Sequence, residues 1–269
     1  MLFRSQEHLA LGLRQSGIPH ADVRRRAGVA LGRLGLTDVA AERPAALSPE
    51  LRCRLALARA LVLEPRVLVL DEPLAHLDPA TRKMLRLEIA RLHADLAMTT
   101  VHATSDAADA LALSHRIAVL VDGRVAQIGE PEEVYGHPSS RPVAEALGPV
   151  NLLPVRVVEV RETGVVVESP GGSHAPVPAP ATWRTGMTGL LCTRPESLGL
   201  VDAAMGRGPG FPGKVAVRLF EGARHLYEID VGGGATLRVE LAPGADRIFR
   251  LGEQVRVEID SSAAVLLPP

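Results

Sequence analysis

Residues 67–73 read Val-Leu-Val-Leu-Asp-Glu-Pro, an apolar run that ends in two acidic side chains, Asp71 and Glu72. A β-rich run of this kind delivers its last residues to the C-terminal end of a sheet, where open α/β proteins bind ligands. One carboxylate there can hold a Mg²⁺ that bridges phosphates, and a second can polarise an attacking water. Upstream of this run, Ser48-Pro49 opens a helical pattern. Serine caps helix N-termini through its side-chain oxygen, and proline suits the first helical position because no N–H is needed there. A second phosphate-like signal, Gly208 to Val215 (GPGFPGKV), satisfies G-x-x-x-x-G-K. It carries Val215 where a Mg²⁺-binding hydroxyl belongs, and it leads into an alternating apolar run instead of a helix. It reads as a turn entering a strand.

Two kinds of element must position these residues. Up to Leu147, helical patterns alternate with short apolar runs. ADVRRRAGVALGRLGL reads as a helix ending near Gly35, and SPELRCRLALARALVL as a second. In ATRKMLRLEIARLHADL, Leu85, Ile89, Leu92 and Leu96 share one helical stripe. MTTVHAT, a helix in DAADALALS, and RIAVLVDGRVAQIG follow, the last with Asp122-Gly123 as a hairpin turn. Interleaved apolar strands and helices predict an α/β domain whose parallel sheet is covered on both faces. After GHPSSRPVAEALGPVN, seven short runs, several with period-two alternation, predict an all-β barrel or sandwich. The Pro-rich stretch 169–186 reads as a surface loop between two of them. The expected domains are therefore residues 1–147 and 148–269.

The chain of 269 residues is 46% hydrophobic, enough to bury a core. Its 30 Lys and Arg against 31 Asp and Glu give no basic excess, which argues against a nucleic-acid partner. Two distant cysteines, Cys53 and Cys192, suggest no disulfide framework. No run approaches a bilayer span, and the opening residues lack an apolar signal core, so a cytoplasmic location is expected.

Taken in order, ALARAL, VLVLDEP, LAHLD and TSDAADALALSHRIAVLVDGRVAQIGEPEEVY resemble the ATP-binding subunit of ABC importers of the spermidine/putrescine, ferric-iron, maltose and molybdate group. GPVNLLP and TRPESLGL resemble the transport-associated, oligonucleotide-binding-like (OB-like) β domain that such subunits carry. The resemblance implies a partial P-loop NTPase domain of ABC type with a parallel sheet, followed by a small all-β OB-like barrel. It implies Asp71 as the metal ligand and Glu72 as the catalytic carboxylate. It also implies Ser48 and Asp78 as nucleotide-contacting residues of the signature and D-loop, with ATP and Mg²⁺ as cofactors. The implied partners are transmembrane permease subunits, a substrate-binding protein and a second ATPase subunit, at the cytoplasmic face of the membrane.

The departures from the family pattern are as informative. The family's LSGGQ is here Leu47-Ser48-Pro49-Glu50-Leu51. Pro49 has no N–H to give a phosphate, and Glu50 is expected to set a negative charge toward one. The family's Thr-His-Asp switch is Thr104-Ser105-Asp106, leaving Ser105 as a shorter, uncharged donor. His102, three residues earlier, is expected to be a packed strand residue. No P-loop precedes these motifs in the 269 residues, and the opening Met1-Leu2-Phe3 resembles the residues just past the family's Q-loop. The expected activity is ATP hydrolysis energising solute uptake by a truncated or degenerate subunit. The altered motifs favour degeneration with the fold retained. The alternatives are a non-hydrolysing regulatory or small-anion-binding module, and a pseudo-subunit paired with an intact ATPase.

Overall fold

The computed structural model describes residues 4–96, 98–206, 208–244 and 247–269, so the Met1-Leu2-Phe3 reading lies outside the described residues. The chain divides into two compact units, Met1–Ser114 and His115–Pro269.

The first unit begins with helices α1 (Ser5–Gln15), α2 (His20–Arg33) and α3 (Pro49–Leu61). They pack around Leu9, Leu13, Leu31, Leu34, Leu36, Leu55 and Ala58. Helix α2 ends where Gly35 takes φ +63°, the left-handed conformation that stops a helix at low cost. Strand β1 (Val67–Asp71), helix α4 (Pro79–Asp95), strand β2 (Thr99–Ala103) and helix α5 (Ala107–Leu113) follow. Strands β1 and β2 form a parallel pair in which Leu70 lies opposite His102 and Asp71 opposite Ala103. Leu68 is buried and Leu70 packs against the helical core. The other face differs from the expected double cover: Val67, Val69 and Val101 are 55%, 70% and 54% exposed. No described residue covers that face, although its side chains are as apolar as those beneath.

The second unit opens with the hairpin β3 (Ile117–Val121) and β4 (Arg124–Gly129). Its turn residues Asp122 and Gly123 have φ +51° and +72°, the two positive values a tight Asp-Gly turn needs. Two short helices follow, α6 (Pro131–Gly136) and α7 (Arg141–Ala146). Then come β5 (Asn151–Arg161), β6 (Gly164–Glu168), β7 (His174–Val177), β8 (Thr188–Thr193) and β9 (Leu198–Asp202). The last five strands are β10 (Gly210–Phe220), β11 (His225–Asp230), β12 (Thr236–Leu241), β13 (Gln254–Ile259) and β14 (Val265–Leu267). They make two antiparallel sheets, ordered β12-β11-β10-β13-β9 and β14-β8-β5-β6-β7. Alternating residues of both sheets, among them Val157, Val167, Phe211, Tyr227, Val239 and Val257, form one core. Asn151 links the sheets: its amide donates to the Arg238 carbonyl at 2.8 Å and its oxygen accepts from the Arg238 N–H at 2.8 Å. Gly208–Val215 runs directly into β10, so the second phosphate-like signal is a strand entry.

The Pro-rich stretch is not a simple surface loop. It contains strand β7, whose Ala175 and Val177 are buried, and it buries Trp183 in the barrel core. The indole lies so close to Gly189 of β8 that a Cβ there would come within 2.6 Å of it. Pro176 is compatible with a strand here because β7 is an edge strand, where a missing N–H costs no ladder bond, and Pro178 follows the strand's end.

Arg194 ties α6 and α7 to the barrel. Its guanidinium donates to the carbonyls of Tyr135 (3.2 Å), Ala144 (3.1 Å), Gly148 (3.3 Å) and Pro149 (3.0 Å). It also lies 4.0 Å from the centre of the Tyr135 ring. A buried cation is tolerated here because the C-terminal carbonyls of two short helices converge on it.

Candidate functional site

Strand β1 delivers its two carboxylates as the alternation requires. Asp71 is exposed on the uncovered face with Val67 and Val69, while Glu72 turns toward the β2 end. Glu72 adopts φ +44°, rare for a side-chain-bearing residue, and its N–H donates to the Ala103 carbonyl at 2.9 Å. This kink swings the carboxylate onto the segment after β2. The Ser105 N–H donates to Glu72 Oε1 at 2.7 Å, and the Thr104 hydroxyl to Oε2 at 3.4 Å. The Ser105 hydroxyl, then its amide, hold the Glu72 carboxyl below the usual carboxylate range. The fold thus brings Glu72 and Ser105 into direct contact.

Ser48 and Asp78 sit at helix starts. The Ser48 hydroxyl accepts from the Leu51 N–H at 3.2 Å and caps α3, with Pro49 at the first helical position. Asp78 caps α4, accepting from Ala80 and Thr81 at 3.1 Å each. The Thr81 hydroxyl, then the Thr81 amide, hold its carboxyl below the usual range, with a smaller contribution from the Ala80 amide. Among the described residues no hydrogen bond or ion pair joins Ser48 or Asp78 to Glu72 or Ser105.

Glu50 behaves differently from the expectation. Its carboxylate is drawn back along α3 to Arg54, 3.0 Å away, and Arg54 also pairs with Glu88 of α4 and donates to the Leu34 carbonyl at 3.3 Å. The charge introduced in place of a glycine is therefore engaged by a cation one helical turn along. At the start of α3 the Ser48 hydroxyl hydrogen and the Glu50 N–H have no hydrogen-bond partner among the described residues; Pro49 has no N–H, and the Leu51 N–H is bound to Ser48.

A residue that the sequence reading passed over joins the site. Arg82 donates to Asp106 Oδ2 at 2.5 Å and to the carbonyls of Ala75 (3.2 Å) and Leu77 (3.4 Å). It therefore spans from the loop before Asp78 to the residue after Ser105. Arg86 pairs with the buried Asp109 and joins the same two helices. The available signal was the helical spacing of Asp78, Arg82 and Arg86, one turn apart. His102 is half-buried, and its Nε2 is enclosed with no partner among the described residues. Burial pushes its pKa down, while Asp109 and Glu72 work to raise it.

Mg²⁺ needs only one or two protein carboxylates when phosphate oxygens and water complete its shell. Asp71 suits that limited role, and no group of three His, Cys, Asp or Glu among the described residues forms an all-protein metal cage. The 269 residues contain no G-x-x-x-x-G-K-[ST] loop, the kind whose amides and lysine cradle phosphates.

Most of the chain is similar to known proteins. The ABC transporter family model matches residues 3–75 and the TOBE domain model residues 191–267. The spermidine/putrescine import ATP-binding protein of Pseudomonas aeruginosa is 35% identical over 254 residues, covering 93% of this chain and 70% of that protein. The chain belongs to the import ATP-binding subunits of ABC transporters. The corresponding protein of Nitrosomonas europaea is 33% identical over 97% of this chain and 74% of its own length. An Fe(3+) ions import ATP-binding protein of Rhizobium etli is 37% identical over 88% of this chain and 66% of its own. No helix among the described residues is long and apolar enough to cross a membrane.

Proposed function

We propose that this subunit belongs to an assembly that energises solute import from the cytoplasmic face of the membrane, and that its own residues would slow ATP turnover once a P-loop holds the nucleotide. Asp71 serves as the Mg²⁺ ligand, Glu72 polarises the attacking water, and Ser105 orients Glu72 where the family uses histidine. Ser48 and Asp78 meet the nucleotide held by a second ATPase subunit, and permease subunits and a substrate-binding protein complete the assembly. The relatives are named for spermidine/putrescine and Fe(3+) ions, and an import substrate of one of those classes is the corresponding expectation. The observation that carries the reading is the 2.7 Å bond from the Ser105 amide to Glu72, which keeps an ionised base beside the switch segment. A non-hydrolysing anion-binding role is the second reading, favoured by the start of α3, where two donors remain.

ATP is held once a P-loop completes the site. Fusing the P-loop segment of the Pseudomonas relative ahead of residue 4 should give one-to-one Mg-ATP binding by calorimetry, whereas the 269 residues alone give none at micromolar concentration. The fusion should hydrolyse slowly. Adding Pro49→Gly, Glu50→Gly, Leu51→Gln and Ser105→His should raise kcat by roughly 10²-fold, the scale of restored transition-state donors. Hydrolysis at the relative's rate without those changes would show that the substitutions are harmless, and micromolar binding by the unfused chain would refute the cradle argument.

A further inference from the structure

Arg82 does more than fasten one helix to another. That task already belongs to Arg86, which pairs at 2.5 Å with Asp109 of α5, an acid whose side chain is 3% exposed. Arg82 lies one turn nearer the start of α4, and its guanidinium reaches the two segments that flank Glu72. Nη1 donates to Asp106 Oδ2, just past Ser105, at 2.5 Å. Nη2 donates to the Ala75 and Leu77 carbonyls, between Glu72 and Asp78, at 3.2 and 3.4 Å.

These bonds close a circuit that begins and ends on Glu72. The Ala75 N–H donates to the Glu72 carbonyl at 3.3 Å, and Arg82 holds the Ala75 carbonyl. On the other arm of the guanidinium, the Asp106 N–H donates to the Thr104 hydroxyl at 3.0 Å. That hydroxyl donates to Glu72 Oε2 at 3.4 Å, beside the 2.7 Å bond from the Ser105 N–H to Oε1. One arm therefore ends on the Glu72 main chain and the other on its carboxylate. The main chain needs that support, because a side-chain-bearing residue at φ +44° persists only where its surroundings over-determine it.

The turn that leads to Asp78 belongs to the same circuit. The Leu77 N–H donates to the Leu74 carbonyl at 3.2 Å, and the Asp78 carbonyl accepts from the Arg82 N–H at 2.9 Å. A guanidinium is planar with its donors in a fixed fork, so it sets the spacing between the loop and the switch segment. We propose that Arg82 is a positioning residue for Glu72, one that carries a displacement of the loop at Asp78 to the contact between Ser105 and Glu72. It touches no substrate. The inference rests on the reading of Glu72 as the carboxylate that polarises water, and it adds a means of regulation: whatever moves Asp78 alters how that carboxylate is held.

The test uses the full chain without nucleotide, so its outcome is separate from the ATP reading, which the calorimetry of the fusion decides. Amide hydrogen exchange is followed by NMR at Ser105 and Ala75, with the buried Ala58 of α3 reporting the stability of the unit. Arg82→Met should speed exchange at Ser105 and Ala75 by about tenfold relative to Ala58, the lower end of the loss expected for a bond to a charged group. Arg82→Lys should restore Ser105 and leave Ala75 fast, because one ammonium can keep Asp106 and cannot also span the loop carbonyls. Asp78→Ala should speed Ser105 in the native chain and add nothing in Arg82→Met. Arg54→Met, which removes another pairing between helices, should leave both amides as they were. Unchanged exchange at either amide in Arg82→Met overturns the proposal. Equal acceleration at Ala58, or the same acceleration in Arg54→Met, also overturns it and reduces Arg82 to a stabilising contact. So does a Ser105 amide that responds to Asp78→Ala as strongly in Arg82→Met as in the native chain. If Arg82→Met does not fold, Arg82→Lys decides, and unchanged exchange at Ala75 in that variant overturns the proposal.

Discussion

Arg194 is the residue whose replacement should cost this protein most. It is 5% exposed, and its guanidinium serves four carbonyls from three separate turns of chain while stacking on Tyr135. Hydrogen bonds from a charged donor contribute about 1.5–3 kcal/mol each. The four share one side chain and cannot be added in full. Arg194→Met removes the donors and leaves converging helix-end carbonyls unpaired, a loss of about 3–5 kcal/mol by analogy with breaking a buried pair. For a unit of this size each kcal/mol moves Tm by roughly 2–4 °C. The transition of residues 115–269, followed by calorimetry on the full chain, should therefore fall by about 10 °C or more. Arg194→Lys should recover less than half of that, because one compact ammonium cannot span carbonyls on opposite sides of the guanidinium plane. A shift below about 3 °C for Arg194→Met would refute the reasoning and mean that water replaces the guanidinium without loss.

Tyr135 donates to Glu196 at 2.5 Å, and burial, with Glu196 beside it, pushes its pKa up to about 12. A raised folded-state pKa stabilises below the unfolded value near 10 and is lost as pH rises toward 12; alkaline denaturation should lose this slope in Tyr135→Phe. Trp183→Ala should destabilise the barrel by about 3–5 kcal/mol, measurable in urea; a change under 1 kcal/mol would mean the Pro-rich stretch is the surface loop its composition suggested. Ser105→Ala should raise the Glu72 pKa toward the ordinary carboxylate value, since the hydroxyl is the largest cause of its depression. Side-chain carboxyl NMR reads this directly, and an unchanged pKa would show that the backbone amide alone holds Glu72.

The elements that were legible carry their signals locally. Ser48-Pro49 starts α3 as cap and first-turn proline require, and Asp122-Gly123 turns β3 into β4. All seven alternating runs of the β region are strands. Helix α1 went unread because its eleven residues carry only Leu9, Ala10 and Leu13 as a buried stripe, and the opening segment was weighed for targeting signals alone. Strand β7 was hidden by Pro176, which an edge position tolerates, and by the prolines flanking it. The short α6 and α7 have too few residues for a periodic signal, and they are held by Arg194 from another part of the chain.

The sequence by itself determined the place of Asp71 and Glu72 at a strand end, because apolar periodicity, caps and turn residues act over a few residues; its ordered motifs carried the family resemblance. Only the tertiary structure decided what those side chains do. Glu50 was expected to face a phosphate and instead pairs with Arg54, because Glu88 and the Leu34 carbonyl from two other helices fix that guanidinium. Glu72 reaches Ser105 across 33 residues because β1 and β2 are neighbours in register. Arg82 joins the loop before Asp78 to Asp106 for the same reason. The uncovered faces of β1 and β2 were likewise invisible in the sequence, since an apolar strand reads the same whether or not anything packs against it. Pairings of that range depend on which elements the fold brings together, and no local pattern encodes them.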